Sequence, residues 1–194
     1  MLDKFERVKR CLNSIKAKMA ARKAFPDEEW IDTITLKLMH ESEDFVLPDG
    51  IKRIKVAKSR LTGLKDDDRI LVKEIRQGKI LADKGATIFL LPKLKGTDGM
   101  AISGPDALVN GKLYEFKNIT GCLDRVEIRF RQSRVQCNNI YLKIDSPIIS
   151  KCDVISKIKN TLKDKKYTGG TKGTLIFYLA QTQEIYLMKI KDLK

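Results

Sequence analysis

Apolar residues recur every three to four positions over residues 1–24. Phe5, Val8, Leu12, Ile15 and Met19 alternate there with Lys and Arg, which predicts a helix ended by Pro26. Asp27-Glu28-Glu29 then reads as the acidic start of a second helix carrying Trp30, Ile34 and Leu38. A Pro48-Asp49-Gly50 turn precedes a basic stretch from Lys52 to Lys65. Residues 1–62 are read as a helical appendage, and 63–194 as the domain that carries the chemistry.

The pattern changes at Asp66-Asp67-Asp68, an acidic helix start followed by Ile70, Leu71, Ile75 and Leu81 on one stripe and closed by Gly85. The unbroken apolar run Ala86–Leu91 predicts a buried strand stopped by Pro92. A loop with Gly96, Gly99 and Gly104 leads to Pro105-Asp106 and a short strand, and Asn110-Gly111 is the signature of a two-residue hairpin turn. Its return strand covers 112–117. A helix over 123–137, a buried strand at 140–144, a helix over 148–162 and a closing hairpin at 174–179 and 185–190 complete the chain. This order predicts the α/β class, a mixed β-sheet flanked by helices.

Composition narrows the functional classes. With 42% hydrophobic residues in 194, the chain has enough apolar content for a packed core, which excludes wholesale disorder. No apolar run is long enough to span a membrane and the N-terminus lacks an apolar signal core, so a soluble cytoplasmic protein is expected. Four cysteines without CxxC spacing and a single histidine, His40, argue against a zinc site or a disulfide framework; the thiols are expected to be reduced and mostly buried. The net charge of +14 favours polyanionic partners. Basic residues exceed acidic ones by 15 to 10 over 1–65, by 14 to 11 over 66–145, and by 10 to 4 over 146–194.

That middle segment holds the candidate chemistry. The two-residue period of a strand puts Glu115 and Lys117 on one face and Tyr114 and Phe116 on the other. Across the hairpin, Asp106 begins the partner strand within reach of either residue. Carboxylates are costly on an apolar sheet without a cation, and two carboxylates with carbonyl and water oxygens suit Mg²⁺. Lys117 would orient or deprotonate an attacking water and offset charge on a phosphorane. Glu74 lies within or beside the buried stripe of its helix, with Gly78 one turn on permitting close approach to the sheet; it wants a metal, or a salt bridge to Lys117 or a nearby arginine. His40 has no partner for a histidine-based ribonuclease mechanism.

The string Pro105-Asp106, eight residues, Glu115-Phe116-Lys117 resembles the PD-(D/E)xK nuclease superfamily, over about residues 66–145. Glu74, Gly85-Ala86-Thr87, Leu90-Leu91-Pro92, Glu115-Phe116-Lys117-Asn118, Gln136 and Asn139–Asp145 look similar to the C-terminal tRNase domains of contact-dependent growth inhibition (CdiA-type) toxins. The resemblance implies a restriction-endonuclease-like core and a Mg²⁺- or Mn²⁺-dependent ribonuclease that cleaves tRNA, usually neutralised by an acidic immunity protein. It assigns the metal to Glu74, Asp106 and Glu115 and the nucleophile to Lys117. It turns Arg129, Gln132, Ser133 and Gln136 of the following helix toward the substrate, with Arg131 and Arg134 in the general basic field. Lys157, Lys159, Lys163, Lys165 and Lys166 read as a platform for RNA backbone, or as a solvated helix end. The rival readings are a DNA endonuclease of phage or mobile-element origin and a non-catalytic nucleic-acid-binding phage module.

Overall fold

In the computed structural model, which describes residues 4–33, 35, 53–62, 64–93 and 104–194, the first predicted helix is α1 (Lys4–Ala24). Ile34, Leu38, His40, the Pro48-Asp49-Gly50 turn, Gly96 and Gly99 lie outside the described residues. Over residues 12–21, the apolar stripe that reveals α1 in the sequence is not its packed face. Leu12, Ile15 and Met19 are exposed, while Ala17 and Ala21 are fully buried against Phe89, Leu91 and Leu108. The reason is the closeness of approach. A Cβ placed on Gly111 would stand 3.1 Å from the Lys16 carbonyl oxygen, so only small side chains fit on that side of the helix.

Two units divide the chain, Met1–Leu113 and Tyr114–Lys194. The first contains β1 (Trp30–Asp32), β2 (Ile54–Ala57), α2 (Lys65–Asp83), β3 (Ile88–Leu90) and β4 (Ala107–Val109). β1 is antiparallel to β2, β2 parallel to β3 and β3 antiparallel to β4. Two sequence expectations differ from this arrangement. Trp30 lies on a strand, not a helix, because Ile31 pairs with Val56 and the indole packs edge-on to Phe89 at 5.0 Å; tertiary pairing overrides the local acidic start signal. Residues 1–62 are also no separate appendage, since Ile54 pairs with Ile88 and Val56 with Leu90, and the division into units falls at 113. Helix α2 links the parallel pair β2 and β3, as parallel strands require. Its Leu71 and Ile75 are fully buried, and a Cβ on Gly78 would come within 3.3 Å of Ile54 and 3.4 Å of Ile88, the close approach read from the sequence.

The Asn110-Gly111 turn has φ of 50° and 82°, the two left-handed residues of a type I′ hairpin turn. Asn110 locks it to Thr87. Its side-chain oxygen accepts from the Thr87 amide and its own amide donates to the Thr87 carbonyl, both at 2.9 Å. β5 (Lys112–Ile119) carries the chain into the second unit, followed by α3 (Asp124–Gln136), β6 (Ile140–Ile144), α4 (Lys151–Lys163), β7 (Thr174–Leu179) and β8 (Glu184–Lys189). β5, β6 and β7 run parallel and β8 returns antiparallel. Val126 and Phe130 of α3 and Val154 and Ile158 of α4 close one core with Ile140, Leu142, Leu175 and Phe177. Both units are thus α/β with mixed strand pairing, and the elements from α2 onward lie within a few residues of their predicted bounds. Among the described residues no helix is long and apolar enough to cross a membrane. The expectation of buried thiols fails for two cysteines: Cys122 and Cys152 are exposed, one in the turn before α3 and the other in the first turn of α4.

The second unit makes two predictions about stability. Gly173 has φ of +105°, and an added Cβ would fall 1.9 Å from the Asn138 carbonyl oxygen. That carbonyl is itself held by Arg134, so Gly173→Ala should cost about 2 kcal/mol or more and lower Tm by several degrees in thermal denaturation. Ser150 caps α4 in a capping box with Asp153, and its hydroxyl and amide hold the Asp153 carboxyl below its ordinary pKa. A lowered carboxylate stabilises above its unfolded value and loses that contribution as the pH falls. Asp153→Asn should therefore melt below wild type at neutral pH, with the difference closing below about pH 4 in paired melting curves.

Candidate active site

Helix α2 buries Glu74 on the same side as Leu71 and Ile75, leaving it 7% exposed. A carboxylate so far from water requires charged partners. One is Arg60, from the 3₁₀ turn Lys58–Arg60 that succeeds β2; its Nη1 donates to Glu74 Oε2 at 2.5 Å. The other is Lys93, just beyond β3, whose Nζ donates to Glu74 Oε1 at 3.2 Å and stands 3.6 Å from Asp106 Oδ1. Antiparallel pairing brings this about. The Asp106 carbonyl accepts from the Leu91 amide at 2.9 Å, so the β3–β4 ladder continues one step past Leu90–Ala107 and sets Asp106 beside the residues just past β3. The first unit thus assembles Arg60, Glu74, Lys93 and Asp106 into a neutral cluster of two acids and two bases.

The second unit holds the other predicted pair. Glu115 is 2% exposed, and Lys117 Nζ donates to its Oε1. The alternation read from the sequence is observed. Glu115 is in register with Ile140 and Lys117 with Leu142, whereas Phe116 packs edge-on to Tyr141 at 5.1 Å. Tyr114, also buried, has its hydroxyl pushed above its ordinary pKa by that burial.

Among the described residues no group of three or more His, Cys, Asp or Glu side chains gathers to hold a metal. What the structure does bring together is Glu74 and Asp106 around one ammonium. Two hard carboxylates sharing a positive charge are a donor set that fits a hard divalent cation. Gln77, one turn along α2 from Glu74, buries its amide nitrogen without a hydrogen-bond partner among the described residues. Such an orphan donor costs about 1–3 kcal/mol unless an oxygen, of water or of a ligand, meets it.

The face predicted on α3 is only partly observed. Arg129 Nη1 donates to Gln132 Oε1 at 3.0 Å, Gln132 is exposed and Gln136 half-buried. Ser133 instead is fully buried and donates to the Arg129 carbonyl at 2.8 Å. Arg134 does not belong to a solvated basic field. It is 8% exposed and donates to the carbonyls of Asn138, Gly169 and Gly170 and to the Tyr167 hydroxyl. Arg131 is likewise engaged, with Glu127 and Asp164 and over the Tyr167 ring. Of the lysine cluster, Lys157 pairs with Asp124 at 2.7 Å and Glu127 at 3.2 Å, which raises its pKa; Lys159, Lys163, Lys165 and Lys166 are exposed.

Sequence reasoning did not single out Arg60 or Lys93. Burial of Glu74 signalled that an arginine could answer it, but the basic stretch before α2 offers several cations and no local feature marks Arg60 among them. Compared with known protein families, curated proteins and solved structures, the chain matches none.

Removing one partner of a buried ion pair leaves an uncompensated charge. Arg60→Met should therefore lower unfolding free energy by about 3 kcal/mol in urea titrations, while Arg60→Met with Glu74→Met should recover most of that loss.

Proposed function

We propose that the protein is a metal-dependent ribonuclease of the toxin type that cleaves phosphodiester bonds of tRNA. The observation that carries this reading is the pair of carboxylates, Glu74 and Asp106, drawn onto a single cation. The reading gives the chain a PD-(D/E)xK core and assigns Glu74, Asp106 and Glu115 to holding Mg²⁺ or Mn²⁺. When bound, such a cation supplies Lewis-acid stabilisation to the scissile phosphate. Lys117 holds positive charge beside Glu115 and is assigned to orienting the attacking water, and to offsetting charge on the phosphate as it is attacked. Arg129, Gln132 and Gln136 are assigned to phosphate and sugar contacts.

The net charge of +14 draws any polynucleotide, so discrimination has to arise elsewhere. Lysines contact phosphates without reading bases. Tyr167 stacks on Phe130 and is not presented as a base platform. Selectivity for tRNA would then rest on the shape of a folded RNA and its 2′-hydroxyls. An acidic immunity protein is the expected inhibitor, and the cytoplasm of the target cell the expected site of action.

The experiment is cleavage of a total-tRNA pool and of a plasmid side by side. With Mg²⁺ or Mn²⁺ the tRNA should be cut at a defined position and the plasmid left intact, and excess EDTA should stop the reaction. Asp106→Ala and Glu115→Ala should each lose roughly a hundredfold or more in rate while retaining RNA binding. Cleavage that persists in EDTA would eliminate the carboxylate mechanism, and plasmid cutting without a tRNA product would replace the substrate by DNA.

A further inference from the structure

The cluster around Glu74 contains two cations with different freedom. The Arg60 side chain is 3% exposed and holds Glu74 from inside the unit. The Lys93 side chain is 52% exposed and reaches in from the rim to touch both Glu74 and Asp106. An arginine buried to this extent cannot leave without stranding the carboxylate. A lysine on a flexible four-carbon stem can, because its ammonium is readily rehydrated.

We infer that Lys93 is a resident counter-cation, which occupies the place of the divalent metal between Glu74 and Asp106 and must swing out for the metal to bind. The inference rests on the metal-dependent reading and adds to it a control on metal occupancy. Lys93 Nζ stands between two like charges, 3.2 Å from Glu74 Oε1 and 3.6 Å from Asp106 Oδ1, the setting in which a divalent cation would also be held. Lys93 supplies +1 between them and, with Arg60, brings the four side chains to neutrality. A divalent ion adding to that neutral cluster would leave an excess of +2 and meet repulsion from the ammonium. Exchange for Lys93 leaves +1 and returns the ammonium to water. The apparent metal affinity is then reduced by the fraction of time that Lys93 is seated.

The test is binding of Mn²⁺ alone to the full chain, monitored by calorimetry and by the electron paramagnetic resonance signal of free Mn²⁺, with no nucleic acid present. Wild type should bind Mn²⁺, and Glu74→Gln should bind it far more weakly. Lys93→Met, which keeps the apolar stem and removes the charge, should bind roughly tenfold tighter. Lys93→Arg, which keeps the charge, should bind no tighter than wild type. Thermal melting gives an independent reading. Metal-free Lys93→Met should melt below wild type, and Mn²⁺ should raise its Tm by more than it raises that of wild type. Wild-type or weaker Mn²⁺ affinity in Lys93→Met would overturn the inference, as would equal tightening in Lys93→Met and Lys93→Arg. Absence of Mn²⁺ binding in both wild type and Lys93→Met would overturn the metal-dependent reading itself and the inference with it.

Discussion

Burying the carboxylate of Glu74 is the constraint around which the first unit is organised. An ionised acid at 7% exposure has lost nearly all its water, and only charged donors compensate for that loss. The fold meets the requirement from two directions. The turn after β2 supplies Arg60 from the chain before α2, and the segment after β3 supplies Lys93 from the chain after it. Because β2 and β3 are parallel neighbours joined through α2, a single βαβ passage delivers both cations to one helix face. Asp106 joins because β4 pairs antiparallel with β3 and its ladder reaches one residue further.

Arginine and lysine divide the work in both units. Arg60 and Arg134 are nearly inaccessible, and each holds acceptors from distant segments: a buried carboxylate in the first unit, three carbonyls and a hydroxyl in the second. The planar guanidinium suits that task, since its fixed fork meets several acceptors with little further loss of entropy. Lys93 and Lys117 are more accessible and pair with the carboxylates assigned to chemistry. Among the described residues the buried cations are thus arginines, whereas the cations that meet Glu74 from the rim and Glu115 along its own strand are lysines.

The basic character of the chain is separate from this cluster, which is neutral by itself. The surplus lies in exposed side chains such as Lys159, Lys163, Lys165 and Lys166, where several neighbouring cations, Lys157 and Arg131 among them, are instead matched to acids. A diffuse positive field raises the encounter rate with a polyanion and falls away with salt. The ion pair of the buried Glu74 with Arg60 depends instead on local geometry, and salt screens it far less.

Local features decided much of this protein without any need of its tertiary structure. The periodicity of α2, the type I′ turn at Asn110-Gly111 and the strand alternation that sets Glu115 and Lys117 on one face all depend on residues a few positions apart, and all are observed. The pairing of Asp106 with Glu74 through Lys93 was not legible, because it joins three segments separated by sequence and fixed only by strand pairing. The strand at Trp30 depends on Val56 and Phe89, which outweigh the acidic helix signal beside it. The packed face of α1 was set by how closely its backbone lies to Gly111, which selects alanines over the larger residues of the apolar stripe. Arg134 looked like one surface cation among several, and only the return of residues 167–170 onto α3 makes it a buried clamp. A sequence states which side chains need partners; the tertiary structure decides which distant ones they meet, because burial and long-range register do not exist until the chain has folded.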